Sequence, residues 1–216
     1  MPIFALDEDL QFPDPNLAEA DGLLAIGGDL SVPRLIQAYK SGIFPWFEDD
    51  VPLWWSPDPR FVLFPAEIKI STSMKTLLKR KAFTFTINKS FSEVIRNCKS
   101  VRRDGQAGGT WITEEMQEAY NELNRLGYAI SAEAWNDGEL VGGLYGVRLG
   151  KIFFGESMFS HQSNASKYAF ISLVQQLKSE GVELIDCQVY TAHLESLGAR
   201  MIPRKEFLNK IQATAK

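Results

Sequence analysis

The segment 182–189, VELIDCQV, carries the residues best suited to chemistry. It reads as a strand. Alternation puts Leu184, Asp186 and Gln188 on one face and Ile185, Cys187 and Val189 on the other. Burying an unpaired carboxylate costs several kcal/mol, so an acid and an amide on an otherwise apolar strand border a polar cleft or find partners. A polar strand end hydrogen-bonded to loop backbone is the plainer alternative.

A second carboxylate, Glu156, ends the strand KIFFGES before the polar stretch SMFSHQSN. Strand ends that feed loops often build sites. On adjacent strands, Glu156 and Asp186 could line an acidic pocket for a cation; a surface glutamate is the simpler reading. Three tryptophans, Trp46, Trp54 and Trp55, crowd the front of the chain, and Trp111 lies in GGTWIT. Loop tryptophans can stack on nucleobases, or anchor chain that lacks regular structure. Basic residues cluster as Lys75, Lys79, Arg80 and Lys81, and again as Arg96, Lys99, Arg102 and Arg103. Either cluster could meet phosphates or be a solvated face. The chain has no G-x-x-x-x-G-K-S/T, G-x-S-x-G or His-x-x-x-His pattern, which leaves NTPase, serine-hydrolase and metalloprotease readings without support.

The elements that must position these residues follow from pattern. In the Pro- and Trp-rich first 65 residues one helix stands out, about 31–40, with Ser31 to cap it, Pro33 in its first turn and Gly42 to stop it. The remainder of that region reads as turns and short strands. Helices are predicted at 72–81, at 91–98 behind the capping box Ser90–Glu93, and at 114–126 with Met116, Ala119, Tyr120, Leu123 and Leu126 on one face. A strand is predicted at 83–87. From 128, YAISAEAW and ELVGGLYGVRL flank the turn Asn136-Asp137-Gly138 as a hairpin, and KIFFGES follows. A helix at 165–179 begins after Asn164, the strand VELIDCQV comes next, and TAHLESLG makes a short helical turn. This order predicts an α+β fold with helices packed on a mixed, mainly antiparallel sheet. Its expected division is 1–65 and 66–216.

Composition bounds the rest. The 216 residues are 45% hydrophobic and 23% charged, enough for one large domain or two small ones. No apolar run could span a bilayer, and MPIFALDEDLQF lacks the pattern of a secretory signal. With two cysteines far apart, Cys98 and Cys187, and two histidines, no disulfide framework or metal site is suggested. The expected setting is the cytoplasm. The net charge of −4 argues neither for nor against RNA, because local clustering sets the field.

Taken together, the stretches GLLAIGGDLS, AYKSGIFPWF, WWSPDPRFVL, GGTWIT, EAY, VGGLYGV, FFGESMFS, NASKYA, LIDCQV and HLESLGARMIPR resemble the bacterial leucyl/phenylalanyl-tRNA–protein transferases. They occur in that family's order over about 12–207. The resemblance implies a C-terminal part folded like the GCN5-related acetyltransferases. It also implies transfer of Leu or Phe from Leu-tRNA or Phe-tRNA to proteins beginning with Arg or Lys, marking them for degradation, with no cofactor. Carried over by position, Asp186 and Gln188 form the catalytic pair and Glu156 contacts the basic N-terminal residue. Leu144, Met158, Leu173 and Ile185 line the pocket for the amino acid side chain, and Trp46 and Trp111 hold the terminal adenosine. Some relatives have Met and Phe at 144 and 173. Ile130-Ser131 replaces the family's His-Ser, so no role for that histidine carries over.

The chemistry suits these residues. An aminoacyl ester is already activated, so alignment and removal of one proton from the amine remain. Two other readings stay open. An acetyl-CoA-dependent N-acetyltransferase would want a glycine-containing pyrophosphate turn where SHQSNASKYA stands, and a non-catalytic tRNA- or peptide-binding module would not need Asp186 beside Gln188.

Overall fold

The computed structural model describes residues 3–47, 50–100 and 112–214. The front of the chain builds a small four-stranded sheet in the order β1-β2-β4-β3, from β1 (Phe4–Leu6), β2 (Leu23–Gly27), β3 (Phe44–Pro45) and β4 (Leu53–Trp55). Helix α1 (Val32–Lys40) lies between β2 and β3. Its predicted bounds hold, although the Ser31 side chain makes no capping hydrogen bond. Asp29 accepts the Ser31 N–H at 2.7 Å, the Ser31 carbonyl accepts from Leu35, and Gly42 leaves the helix at φ +74°. A Cβ on Gly42 would lie 2.5 Å from Leu208, so both conformation and space ask for glycine there.

A seven-stranded sheet then runs in the order β11-β5-β10-β9-β8-β7-β6. Its elements are β5 (Arg60–Leu63), α2 (Thr72–Lys79), β6 (Thr84–Ile87), α3 (Phe91–Ser100), α4 (Glu114–Arg125), β7 (Ala129–Asn136), β8 (Glu139–Leu149), β9 (Ile152–Ser160), α5 (Ala165–Ser179), β10 (Leu184–Gln188), α6 (Ala192–Ser196), β11 (Arg200–Ile202) and α7 (Arg204–Thr214). Neighbours pair antiparallel except β9 with β10, which run parallel. The fold is α+β, as the order of elements predicts. The hairpin turn is as read, with Asp137 and Gly138 both at positive φ.

Each face of the sheet carries its own core. Leu184 and Phe154 pack with α1, α3, α4 and α7 through Tyr39, Val94, Tyr120 and Phe207. Ile185, Phe153 and Leu144 pack on the other face with α2 and α5 through Met74, Phe170 and Leu173.

Three local expectations change. The Ser90 N–H donates to Glu133 at 3.3 Å rather than to the capping-box Glu93. Glu133 sits across from it on β7, is fully buried, and also takes the Thr86 and Ser131 hydroxyls. Asn164 precedes α5 in the left-handed region and caps nothing with its side chain; the Ser160 hydroxyl takes the Ser166 N–H instead. β9 continues through the polar stretch SMFS, so Glu156 lies within the strand and not at its end. Sequence pattern did not indicate β11 or α7 at all.

Candidate active site

Two β-bulges make the site. In β9 the pairing to β8 passes from Gly155 opposite Gly146 to Ser157 opposite Tyr145, so Glu156 is the extra residue. The bulge switches the alternation. Phe154 belongs to the core on the α4 side, as does Phe159, whereas Met158 packs into the other. Strict alternation would send Glu156 and Met158 to one face; the bulge sends them to opposite faces. In β10 the pairing to β5 shifts between Asp186 and Gln188, and Gln188 turns left-handed at φ +64°. The parallel pairing of β9 with β10 reaches Phe154 and Asp186. Beyond that point stand Glu156 on one strand and Gln188 on the other, joined by side chain.

At this opening lies a cavity of about 440 Å³. Leu144, Met158, Phe170 and Ile185 give it apolar walls, and Glu156, Asp186 and Gln188 a polar end. Of the predicted pocket residues, Leu144, Met158 and Ile185 therefore meet at one cavity. Leu173 does not line it. It is buried on α5 one turn behind Phe170, which forms the wall there.

Asp186 is wholly shut off from solvent and paired with an equally buried Arg60 from β5. The guanidinium donates through Nε to Oδ1 at 2.8 Å and through Nη2 to Oδ2 at 2.7 Å, the planar fork that suits a carboxylate. Phe44 and Phe207 lie against the guanidinium at 4.7 and 4.6 Å from their ring centres. Asp186 Oδ1 also accepts the Gln188 backbone N–H at 3.0 Å, which fixes the left-handed turn.

Glu156 has a different set of partners. Tyr39 on α1 donates to Oε1 at 2.8 Å, Tyr120 on α4 to Oε2 at 3.0 Å, and Gln188 Nε2 to Oε1 at 3.0 Å. The two tyrosine oxygens also lie within hydrogen-bonding distance of each other; with one proton apiece, the hydroxyls cannot make that bond and both bonds to a Glu156 carboxylate at once. Burial pushes the Glu156 carboxyl up to about 7, an effect that the tyrosine hydrogen bonds partly offset and the nearby Asp186 charge adds to. Burial and then Glu156 raise both tyrosine hydroxyls well above the ordinary phenol range, so they remain donors.

Sequence reasoning passed over Arg60, Tyr39 and Tyr120. Tyr120 read as part of an apolar helix face, and Arg60 and Tyr39 as members of longer motifs. The available signal was Asp186 itself, since a carboxylate on a buried strand demands a cation. His193 was passed over too. It lines the cavity from α6 with Nε2 buried and without a hydrogen-bond partner among the described residues. Burial and then Lys167 hold its pKa below the ordinary histidine value, so it is neutral at pH 7. Burial and then Asp186 push the Cys187 thiol far up, which leaves it inert at the cavity wall.

Trp46 lies outside the cavity, 39% exposed, with its ring 5.7 Å from that of Trp55. Trp111 falls outside the described residues, as do Arg102 and Arg103. Lys75, Lys79, Arg80 and Lys81 are all exposed on and just after α2. The structure does not bring them to the cavity. Among the described residues, no helix is long and apolar enough to cross a membrane.

Two buried carboxyl groups thus stand where a parallel strand pair opens, at the polar end of a cavity with apolar walls. The comparisons with known proteins make this specific. The family model for leucyl/phenylalanyl-tRNA protein transferase matches residues 62–212, and that for the N-terminal domain of the same transferases matches 28–58. A leucyl/phenylalanyl-tRNA–protein transferase of Syntrophobacter fumaroxidans is 57% identical over 209 residues, covering 96% of this chain and 89% of its own. One from Flavobacterium johnsoniae is 56% identical over 212 residues, covering 98% and 100%. The chain belongs to the leucyl/phenylalanyl-tRNA–protein transferase family. It is also similar to a GCN5-related N-acetyltransferase-like protein of Streptococcus suis, at 11% identity and a TM-score of 0.41 over 82% of this chain and 68% of that one.

Proposed function

We propose that the protein transfers Leu or Phe from charged tRNA to the α-amine of proteins that begin with Arg or Lys, in the cytoplasm, tagging them for degradation. The observation that carries this reading is the single hydrogen-bonded chain from Glu156 through Gln188 to Asp186 at the polar end of a cavity with apolar walls. The donor's side chain lies against Leu144, Met158 and Ile185, with Phe170 completing the wall and Leu173 supporting it from behind. Its ester carbonyl then faces Gln188. The acceptor enters past Glu156, which attracts the basic N-terminal residue. Only a cation offsets the cost of dehydrating that carboxylate, so Arg and Lys are chosen. Asp186 and Gln188 orient the amine. The expected boundary at 65 falls too late, because β5 already belongs to the seven-stranded sheet. The small front sheet, which ends at β4, serves the donor, with Trp46 there and Trp111 from the second part holding the terminal adenosine, while Lys75, Lys79, Arg80 and Lys81 meet tRNA phosphates.

The test is direct. Incubated with Leu-charged tRNA and peptides beginning with Arg or Ala, the protein should place Leu on the Arg peptide and leave the Ala peptide unchanged, by mass spectrometry. Leu on neither peptide, with the charged tRNA intact, overturns the reading.

A further inference from the structure

We infer that His193 holds the α-amino group of the donor amino acid, accepting a hydrogen bond from it at Nε2, and so helps to select and position the donor. The inference rests on the transferase reading above and gives a role to a side chain that reading leaves idle.

A short fold-back brings His193 to the cavity. Gln188 turns left-handed, the Val189 N–H bonds the Cys187 carbonyl, and β10 stops there. Thr191 then caps α6, its hydroxyl accepting the Leu194 N–H at 3.2 Å and its carbonyl the Glu195 N–H at 3.0 Å. The Ser196 hydroxyl donates to the His193 carbonyl at 2.6 Å. So fixed, Thr191, His193 and Leu194 form one wall of the cavity, together with Ser166 and Phe170 from α5. Two side chains bring nitrogen to the cavity lining, Gln188 and His193. Gln188 Nε2 is spent on Glu156, whereas His193 Nε2 is buried and has no hydrogen-bond partner among the described residues. An unpaired buried ring nitrogen costs stability, and a ligand that supplies its partner recovers that cost on binding.

The aminoacyl end of the donor has three groups to place. Apolar walls take its side chain, and its carbonyl faces Gln188. The α-amino group branches from the carbon that bears both, so it is held inside the cavity and must find a partner there. Both Asp186 oxygens are closed off by Arg60, and Glu156 receives the acceptor's cation. His193 is left. With its proton on Nδ1, a neutral imidazole presents a lone pair at Nε2, and an amine has an N–H to give it. Burial, and then Lys167 in the first turn of α5, oppose a positive charge on this ring, which keeps that lone pair free at neutral pH. The same lysine repels a cationic side chain, so the acceptor's Arg or Lys stays on the Glu156 side. His193 moves no proton in the reaction; it binds and orients.

Transfer to an Arg-starting peptide, measured in wild type, His193→Leu and His193→Gln, tests this with three donors: Leu-tRNA, the deamino donor 4-methylpentanoyl-tRNA, and Leu-tRNA ending in 2′-deoxyadenosine. In wild type the deamino donor should show a KM about tenfold above that of Leu-tRNA, the weight of one hydrogen bond left unmade at a buried nitrogen. In His193→Leu the two KM values should agree within about twofold, and His193→Gln, whose amide oxygen reaches the place of Nε2, should restore part of the difference. A His193→Leu enzyme that keeps the wild-type ratio overturns the inference. So does a penalty for the 2′-deoxy donor that His193→Leu abolishes, because Nε2 then belongs to the ribose. Should the variants not fold, wild type decides. The chain has two histidines, so its imidazole ¹⁵N spectrum is readily assigned. The non-hydrolysable 3′-leucylamido-3′-deoxyadenosine should shift the His193 Nε2 signal and not that of His161, and its deamino analogue should shift neither. An unmoved His193 signal with bound ligand overturns the inference. A wild-type protein that transfers no Leu would sink the transferase reading, and this inference with it; an active enzyme with the ratio unchanged in His193→Leu sinks only the inference.

Discussion

Asp186 and Glu156 stand on neighbouring strands, lean into the same core and are both buried, yet one is held by a permanent cation and the other by hydroxyls and an amide. The ion pair of Asp186 with Arg60 ties β10 to β5, and through Phe207 to the last helix. The cluster around Glu156 ties β9 to α1 and α4, elements far apart in the chain. The difference teaches that burial alone does not say what a carboxylate does. Where a guanidinium is locked in place, the charge is fixed and organises structure. Where only neutral donors bond to it, burial raises the carboxyl to about 7, so its charge can come and go near neutral pH.

The largest effect that would break this contrast is on stability. Arg60→Met leaves Asp186 buried with no cation and should cost about 3–5 kcal/mol, lowering the melting temperature by roughly 10 °C in a chain of this size. Asp186→Asn should be comparably destabilising, because it strands the guanidinium. The double variant should recover a good part of the loss, since removing both charges together is far cheaper than removing one. Additive losses in denaturant titrations would show that the two residues are not coupled, and the anchor role of Asp186 would fall.

A smaller effect sharpens the other side of the contrast. The folded Glu156 carboxyl titrates near 7 against an ordinary 4.5, so between those values the folded state holds a proton that the unfolded chain has lost. Stability from this group is therefore greatest below about pH 4.5, falls as pH rises to 7, and is level above, by up to about 3 kcal/mol in all. His193, with its pKa lowered, acts in the opposite sense below 6.5, so the difference between wild type and Glu156→Gln is the quantity to follow. That variant should be the more stable of the two at pH 8, with the advantage shrinking towards pH 5. Parallel melting curves across the range would mean that Glu156 is not burdened by its burial.

The smallest effect lies away from both carboxylates. Replacing Lys75, Lys79, Arg80 and Lys81 by Ala should leave stability and peptide KM unchanged but weaken tRNA binding. The slope of log affinity against log salt should flatten by about 0.7–0.9 for each phosphate that is no longer neutralised. A slope equal to that of wild type would make the outer side of α2 a plain solvated surface.

Much of the fold was legible locally. The helix after Ser31, the Asn136-Asp137-Gly138 hairpin and the strand bearing Asp186 follow from caps, turn residues and period-two alternation, which are written in neighbouring residues. So were Asp186, Gln188 and Glu156 as the polar residues of note, because a charge on an apolar strand is conspicuous. What sequence could not supply was the partners. Arg60 lies 126 positions before Asp186, and Tyr39 lies 117 before Glu156, separations that no periodicity links. Nor did alternation announce the bulge at Glu156, which puts it and Met158 on opposite faces of one strand. Sequence by itself determined most of the elements, though not β11 or α7, together with the sheet's polar strand and the family. Tertiary structure alone decided which carboxylate keeps a cation and which is left to hydroxyls, because that choice depends on distant side chains brought to within hydrogen-bonding range by packing, and a buried charge takes its properties from whatever is packed against it.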